Sequence, residues 1–327
     1  MGDKHLNTQQ CTEALQKEIG KIMVGKQEQI QLILLSVFSG GHILLDDLPG
    51  SGKTTLIRTL SLALGCDYRR IQFTPDLLPS DILGMTIYDQ KTGEFVLRKG
   101  PVDTNILLAD EINRAIPRTQ SALLEAMEER QITIDGQTFK LPEPFLVMAT
   151  QNPVERESTF QLPAAQMDRF FIRLSLGYPD VTDEMDMLDK LGDGIPFDQI
   201  QAVTSPEELM HLRDEIQQVT VSQPLMEYMV QLVHATRSHP MLKAGASPRA
   251  SRTLFQGVKA AAAMEGRAYA IPEDVRKLAL PVLSHRVVLT GEARYSRKTP
   301  EEIIMQILSE LPVPPAHKDW VNGNYEK

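Results

Sequence analysis

Apolar positions along the chain follow two kinds of pattern, and the change comes near residue 180. Before it, solid apolar runs alternate with helical periodicity. Leu15, Ile19, Ile22 and Val24, then Ile30, Ile33, Leu34 and Val37, recur at helical spacing across 7–38. Gly25-Lys26 breaks that run and Gly40-Gly41 ends it. Compact runs at 42–46, 68–73, 105–110, 145–150 and 170–174 predict strands. Helices are expected over about 53–64 and 117–130, the second with Pro117 in its first turn. Residues 74–103 are rich in turns and contain a hairpin pattern, Ile87–Val96. Strands alternating with helices through right-handed crossovers predict an α/β domain with a mainly parallel five-stranded sheet. After Gly177-Tyr-Pro-Asp180 the strand patterns stop. Helices are expected near 181–191, 206–217, 222–237, 248–265, 272–287 and 299–310. The domain boundary is therefore placed near 180, with an α/β domain over 1–180 and an all-helical domain over 181–327.

Composition narrows the class. The 327 residues suffice for about two domains. With 42% hydrophobic and 24% charged residues, a mainly disordered chain is excluded. Cys11 and Cys66 are too few for a disulfide scaffold or a thiolate metal site. The polar start, MGDKHLNTQQC, has no apolar signal core, and no apolar run is long enough for a membrane span. A cytoplasmic protein with no integral membrane segment is expected. The net charge is −9; residues 1–180 carry 18 basic and 23 acidic side chains, and the rest 16 and 20. Neither half is basic, so bulk electrostatics favour neither nucleic acid nor an anionic membrane. His42, His211, His234, His239 and His285 lack metal-ligand spacing, and His42 is expected to be structural or exposed. The acids Asp180, Asp183, Glu184 and Asp186 read as a linker and solvated helix start.

Candidate chemistry centres on Asp47, Leu48, Pro49, Gly50, Ser51, Gly52, Lys53, Thr54 and Thr55. Glycines let backbone N–H groups turn toward phosphate oxygens, and the following helix start adds unpaired donors. Lys53 is expected to reach the β and γ phosphates, and Thr54 to place its hydroxyl on magnesium. The eight-residue phosphate-loop pattern has glycine where Asp47 stands. A carboxylate there must point away from the phosphates or pair with a cation. Asp110 and Glu111 close a strand, so both can reach a cleft at the carboxyl edge of the sheet. Asp110 is expected to hold magnesium through its water shell, and Glu111 to polarise the attacking water. Asn152, at the end of the next strand, can orient that water or sense the γ phosphate. Arg249 follows Pro248 at a helix start, where a cation opposes the dipole; that placement implies an anion nearby.

These residues sit in a longer ordered signature. It comprises Asp46-Asp-Leu-Pro-Gly-Ser-Gly-Lys-Thr-Thr55, Asp110-Glu-Ile-Asn-Arg-Ala115, Thr119-Gln-Ser-Ala-Leu-Leu-Glu-Ala-Met127, Ala149-Thr-Gln-Asn-Pro153, Leu162-Pro163, Gln166-Met-Asp-Arg-Phe170 and Gly245-Ala-Ser-Pro-Arg-Ala250. The chain resembles the MoxR-type AAA+ ATPases from about residue 10 to about 290. The resemblance implies a P-loop AAA+ fold with a helical lid, and a homo-oligomeric ring, usually a hexamer, with nucleotide between subunits. It implies that the segment after Phe73 is a helix-2 insert lining the pore. Asn152 corresponds to sensor 1. Arg169 resembles an arginine finger reaching a neighbour's γ phosphate, and Arg249 resembles sensor 2, placed by the lid over the bound nucleotide. Frequent family partners contain von Willebrand factor A domains. The family commonly has glycine and glutamate where Ser158 and Ala164 stand. Arg114 and Arg118 are expected to face a neighbour or the pore.

The resulting expectation is magnesium-dependent ATP hydrolysis that drives chaperone-like remodelling or activation of a partner protein. A magnesium-chelatase-like motor would share the ATP site. A nucleic-acid motor would need a basic insert, yet Lys91, Arg98 and Lys99 face Asp76, Asp81, Asp89, Glu94 and Asp103 there. A scaffold that binds ATP without turnover is opposed by Glu111.

Overall fold

The computed structural model describes residues 6–152, 159–192 and 194–314. Two N-terminal helices come first, α1 (Thr8–Ile19) and α2 (Gln27–Phe38). Asn7 caps α1 in a reciprocal capping box with Gln10, and Gly25, at φ 70°, turns the chain between them. The α/β part follows as β1 (Ile43–Asp46), α3 (Lys53–Ala63), β2 (Tyr68–Gln72), α4 (Pro79–Leu83), β3 (Gly84–Asp89), β4 (Glu94–Lys99), β5 (Ile106–Asp110) and α5 (Pro117–Glu129). It continues with β6 (Gln131–Ile134), β7 (Gln137–Lys140), β8 (Leu146–Gln151), α6 (Ala164–Met167) and β9 (Ile172–Leu174). The helical part comprises α7 (Val181–Leu191), α8 (Pro206–Gln217), α9 (Gln223–Ser238), α10 (Pro248–Met264), α11 (Pro272–Leu283), α12 (Gly291–Tyr295) and α13 (Pro300–Glu310). A small ribbon of β10 (Leu242–Ala244) with β11 (Val288–Leu289) sits among those helices.

Five strands form one parallel sheet in the order β2-β5-β8-β1-β9. From β1 the chain crosses to the far edge, works back through β5 to β8, and then passes over β1 to β9. The carboxyl ends of β5, β8 and β1 thus lie side by side at the crevice where ligands bind in such sheets. The expected hairpin is β3–β4, paired from Gly84↔Lys99 to Asp89↔Glu94, longer than the sequence pattern suggests. A second hairpin, β6–β7, was not expected. Its turn is Asp135-Gly136, both at positive φ, the dipeptide that favours tight two-residue turns.

Alternation along the strands sorts the core into two layers. Leu44, Leu107, Ala109, Val147 and Ala149 face α5, together with Leu123, Leu124 and Met127. Ile43, Leu45, Ile106, Leu108, Leu146, Met148 and Ile172 face the opposite way, toward Leu15 and Ile19 of α1 and Leu56 and Leu60 of α3. This second cluster continues without a break into Leu232, Leu254, Val282 and Ile304 of the helical part. Helix α10 packs on α1 and α2, and α11 on β9. Apolar packing therefore crosses residue 180. Among the described residues, no helix is long and apolar enough to cross a membrane.

Two histidines are built into this junction. His42 is buried just before β1; its Nδ1 accepts the Val147 N–H (3.0 Å), so Nε2 carries the proton and donates to the Met127 carbonyl (3.1 Å). Burial, and then the cations Arg130 and Arg213, push its pKa down to about 3. His285, beyond α11, donates through Nε2 to the Phe170 carbonyl (3.2 Å). Burial, then the adjacent Arg286, holds its pKa well below the usual histidine value.

The folded chain keeps both imidazoles neutral, whereas the unfolded chain protonates them below the ordinary value of 6.5. The unfolded state binds more protons there, so stability must fall on acidification. Each histidine contributes at most about 1.4 kcal/mol per pH unit. Urea midpoints are expected to drop steadily from about pH 7 to about pH 5. A level midpoint over that interval would show that these imidazoles are not held neutral.

Candidate active site

The phosphate loop leaves β1 at Asp46 and enters α3 at Lys53. Gly50 and Gly52 both stand at φ 83°, where a side chain would be strained. Gly52 is the N-cap of α3, no side chain caps that end, and the first turn holds no acid. The first N–H groups of the helix are therefore open to an anion. Lys53 Nζ bends back over the loop and donates to the carbonyls of Leu48 (2.7 Å) and Asp47 (3.2 Å) and to Ser51 Oγ (3.3 Å). Pro49, Thr54 and Thr55 line the same cleft. Leu48 contributes its carbonyl.

Asp47 resolves the departure from the glycine pattern. Its buried carboxylate turns away from the loop hollow toward the segment after β9. Oδ1 accepts from Ser175 Oγ (2.6 Å) and the Gly177 N–H (3.1 Å), and Oδ2 accepts from the Leu176 N–H (2.7 Å). Asp47 is expected among the cofactor-binding residues; only its backbone faces the phosphate loop, while its side chain is committed to residues 175–177.

Asp110 and Glu111 come to the opposite wall of the cleft, whose volume is about 610 Å³. Thr150, in β8, joins them: its hydroxyl donates to Asp110 Oδ1 (2.7 Å) and accepts the Glu111 N–H (2.8 Å). Glu111 adopts a left-handed conformation, φ 55° and ψ 50°, which costs a non-glycine residue about 1–2 kcal/mol. That bend brings its carboxylate to the cleft alongside Asp110. Gln72 Nε2 (2.6 Å) and Arg114 Nη1 (2.9 Å) both donate to Glu111 Oε2. Arg114, expected to face a neighbour or the pore, lines this cleft, because the short helical turn at Ile112–Arg114 folds it back. Arg70 grips Asp110 Oδ2 through Nη2 (2.6 Å) and Nε (3.2 Å). Asn152 is buried at the end of β8 and lines the cleft as expected. Ser158 lies outside the described residues, as do its neighbours from 153; Ala164 opens α6.

The donor set suits magnesium bound with a nucleotide. Among the described residues, no cluster of three His, Cys, Asp or Glu side chains could cage a metal. A Thr54 hydroxyl and one Asp110 carboxylate match an ion that keeps most of its water and phosphate ligands.

Arg169 and Arg249 lie elsewhere. Both pair with Glu128 near the end of α5, Arg169 through Nε at 3.0 Å to Oε2 and Arg249 through Nη2 to Oε1. They line a separate cleft of about 390 Å³ with Ser39–His42, which precede β1. The phosphate loop follows β1, so the two clefts occupy opposite edges of the sheet. Arg249, expected over bound nucleotide as sensor 2, thus lies away from its own chain's phosphate loop. The cause is the packing of α10 on α1 and α2, reinforced by Asp168. That carboxylate accepts from Ser247 Oγ at the start of α10 (2.7 Å) and from Arg286 Nε (2.8 Å).

Comparison with known proteins gives the family and the fold. The model of the ATPase family associated with various cellular activities (AAA) matches residues 42–172, and the AAA lid domain matches 234–307. The chain is 46% identical to YeaC of Bacillus subtilis, over 91% of this chain and 93% of that one. It is 41% identical to Chaperone MoxR1 of Mycobacterium tuberculosis, over 91% and 81%. The chain belongs to the MoxR-type AAA+ ATPases. A solved structure from Cytophaga hutchinsonii, 40% identical, superposes with a TM-score of 0.88 over 94% of this chain and 96% of that one.

Several residues of this MoxR-type ATPase escaped the sequence reading: Arg70, Gln72, Glu128, Thr150, Asp168 and Arg286. Thr150 stood inside the quoted Ala-Thr-Gln-Asn run and could have been found as the polar residue facing the acids across paired strands. The others depend on contacts far apart in sequence. Removing the Asp47 carboxylate strands three donors, including the buried Leu176 N–H. Asp47→Ala is expected to lower unfolding stability by about 2–4 kcal/mol, while nucleotide affinity changes less than about tenfold. Unaltered stability combined with lost nucleotide binding, by urea titration and calorimetry, would contradict the outward carboxylate.

Proposed function

We propose that this ATPase hydrolyses ATP with magnesium at the interfaces of a head-to-tail ring, a hexamer on the family resemblance. The observation that carries the reading is the separation of Arg169 and Arg249 from their own phosphate loop by the length of the sheet. In a head-to-tail ring, each subunit's arginine edge meets the next subunit's phosphate loop. Residues 1–180 then act as the nucleotide domain and 181–327 as the lid, with both arginines serving a neighbour.

The chain's groups divide the work. The loop N–H groups and Lys53 hold the β and γ phosphates. Thr54 and Asp110 would hold magnesium, which supplies charge neutralisation on those phosphates. Glu111 polarises the attacking water, with Gln72 and Arg114 fixing one of its oxygens, and Asn152 orients the same water. Charge growing on the γ-phosphoryl oxygens is met by the neighbour's guanidiniums. To do so they exchange Glu128 for phosphate.

The output is chaperone-like remodelling or activation of a partner protein in the cytoplasm. The relative named Chaperone MoxR1 supports the chaperone part. A partner with a von Willebrand factor A domain follows from the family resemblance alone.

Lys53→Ala is expected to weaken nucleotide binding, and Glu111→Gln to retain binding while losing turnover. Arg169→Ala and Arg249→Ala should bind nucleotide within about threefold of the unmodified chain. Arg169→Ala should lose turnover by about 10³-fold or more. Mixing Arg169→Ala with Glu111→Gln subunits should restore phosphate release above either parent, because some interfaces regain both groups. No recovery in demonstrably mixed assemblies would place both residues in one subunit's site.

A further inference from the structure

Helix α7 presents an apolar stripe that nothing among the described residues covers. Every described side chain of α7 except that of Asp183 is exposed. Val181, Met185 and Leu188 are 77%, 65% and 64% exposed. Their i, i+4, i+7 spacing aligns them on one side of the helix. A surface helix ordinarily turns such a stripe into a core. Asp183 projects from the other side against Gly25, so closely that a Cβ there would fall 1.7 Å from its carboxylate. That contact fixes the stripe outward. Glu184 and Asp189 flank it, and from Asp180 to Leu191 five acids face a single cation, Lys190.

Position identifies the occupant. The chain enters α7 beside the phosphate loop: the Tyr178 hydroxyl donates to the Pro49 carbonyl (3.4 Å), and Lys26 Nζ donates to the Tyr178 carbonyl (3.1 Å). Any edge that delivers arginines to that loop must land next to α7. Outside the Arg286–Asp168 pair, the arginine cleft is lined by Arg130, Arg169, Arg213, Arg249 and Arg252 against Glu128 and Glu143, with the apolar Met210 among them. A net positive face with an apolar insert complements an acidic helix with an apolar stripe.

We propose that the Val181–Met185–Leu188 face of α7 docks against the arginine-bearing edge of a second copy of this chain. The inference rests on the interfacial ATP site proposed above and adds the surface that holds the interface together. The arginines respond to the phosphate, whereas α7 supplies apolar contact whether or not phosphate is present.

Two measurements on the full chain test it. Leu188→Cys and Arg252→Cys subunits, mixed with the ATP analogue ATPγS and a short bismaleimide, should yield a covalent heterodimer. Neither subunit alone should crosslink. Self-crosslinking of Leu188→Cys would mean that α7 meets α7 across a two-fold axis, which overturns the proposal. In the second measurement, Met185→Glu with Leu188→Glu should raise the protein concentration needed for assembly about tenfold or more, read by sedimentation velocity. Met185→Leu should assemble normally, and calorimetry should show nucleotide binding by unassembled subunits intact in both. Normal assembly of the double glutamate variant overturns the α7 contact. If Arg169→Ala nevertheless loses turnover, the interfacial ATP site stands without it. Turnover of the unmodified chain that is independent of its concentration removes both.

Discussion

One ion pair with a buried cation ties the helical part of this molecule to its sheet. The Arg286 guanidinium, 5% exposed, meets Asp168 at 2.8 Å and also donates to the carbonyls of Phe170, Phe171 and Val282. Burial lowers its pKa to about 10, and Asp168 opposes the shift, so the group remains charged at neutral pH. Breaking such a pair from one side costs about 3–5 kcal/mol, because the surviving charge is stranded. The pair joins the turn before β9 to the end of α11, and Asp168 also receives Ser247 at the start of α10. Arg169 follows Asp168 directly, and Arg249 lies in the first turn of α10. A single carboxylate therefore ties both arginines to the same edge and reinforces the position that the packing of α10 on α1 and α2 gives the helical part.

At the opposite edge, topology does the positioning. The sheet order sets β5, β8 and β1 side by side, so acids, Thr150 with Asn152, and the phosphate loop converge from three strand ends. Thr150 uses its hydroxyl in both directions, as donor to Asp110 and acceptor from the Glu111 backbone. That second bond helps hold Glu111 in a conformation it would otherwise avoid, an example of local strain balanced by surrounding structure at a functional site.

Much of this was legible in the sequence, for identifiable reasons. The buried parallel strands are short solid apolar runs, and every strand of the main sheet lies within about two residues of where its run predicted. The phosphate loop and the Asp110-Glu111 strand end are local features and could be read directly. The β6–β7 hairpin carries its own turn signal in Asp135-Gly136, but its strands lack the solid apolar runs that mark the main sheet. Arg249 shows where local reasoning stops. Its unfavourable place at a helix start correctly implied an anion nearby, but the anion in this chain is Glu128, 121 residues away. No periodicity encodes that contact. Asp47 is similar: charge repulsion required its carboxylate to turn aside, while its partners at 175–177 could be known only from the fold.

The Asp47 carboxylate has a mechanical consequence. It clamps the three residues that lead into α7, and Gly177, at φ 61° with open space where a side chain would be, sits at the end of the clamp. Beyond it α7 runs for 11 residues, or about 16 Å at 1.5 Å per residue. Past that glycine the chain is tied down again, by Lys26 on the Tyr178 carbonyl and by Asp183 against Gly25. A displacement of the phosphate loop is therefore passed to α7 as a whole, and the Leu188 end travels with the loop.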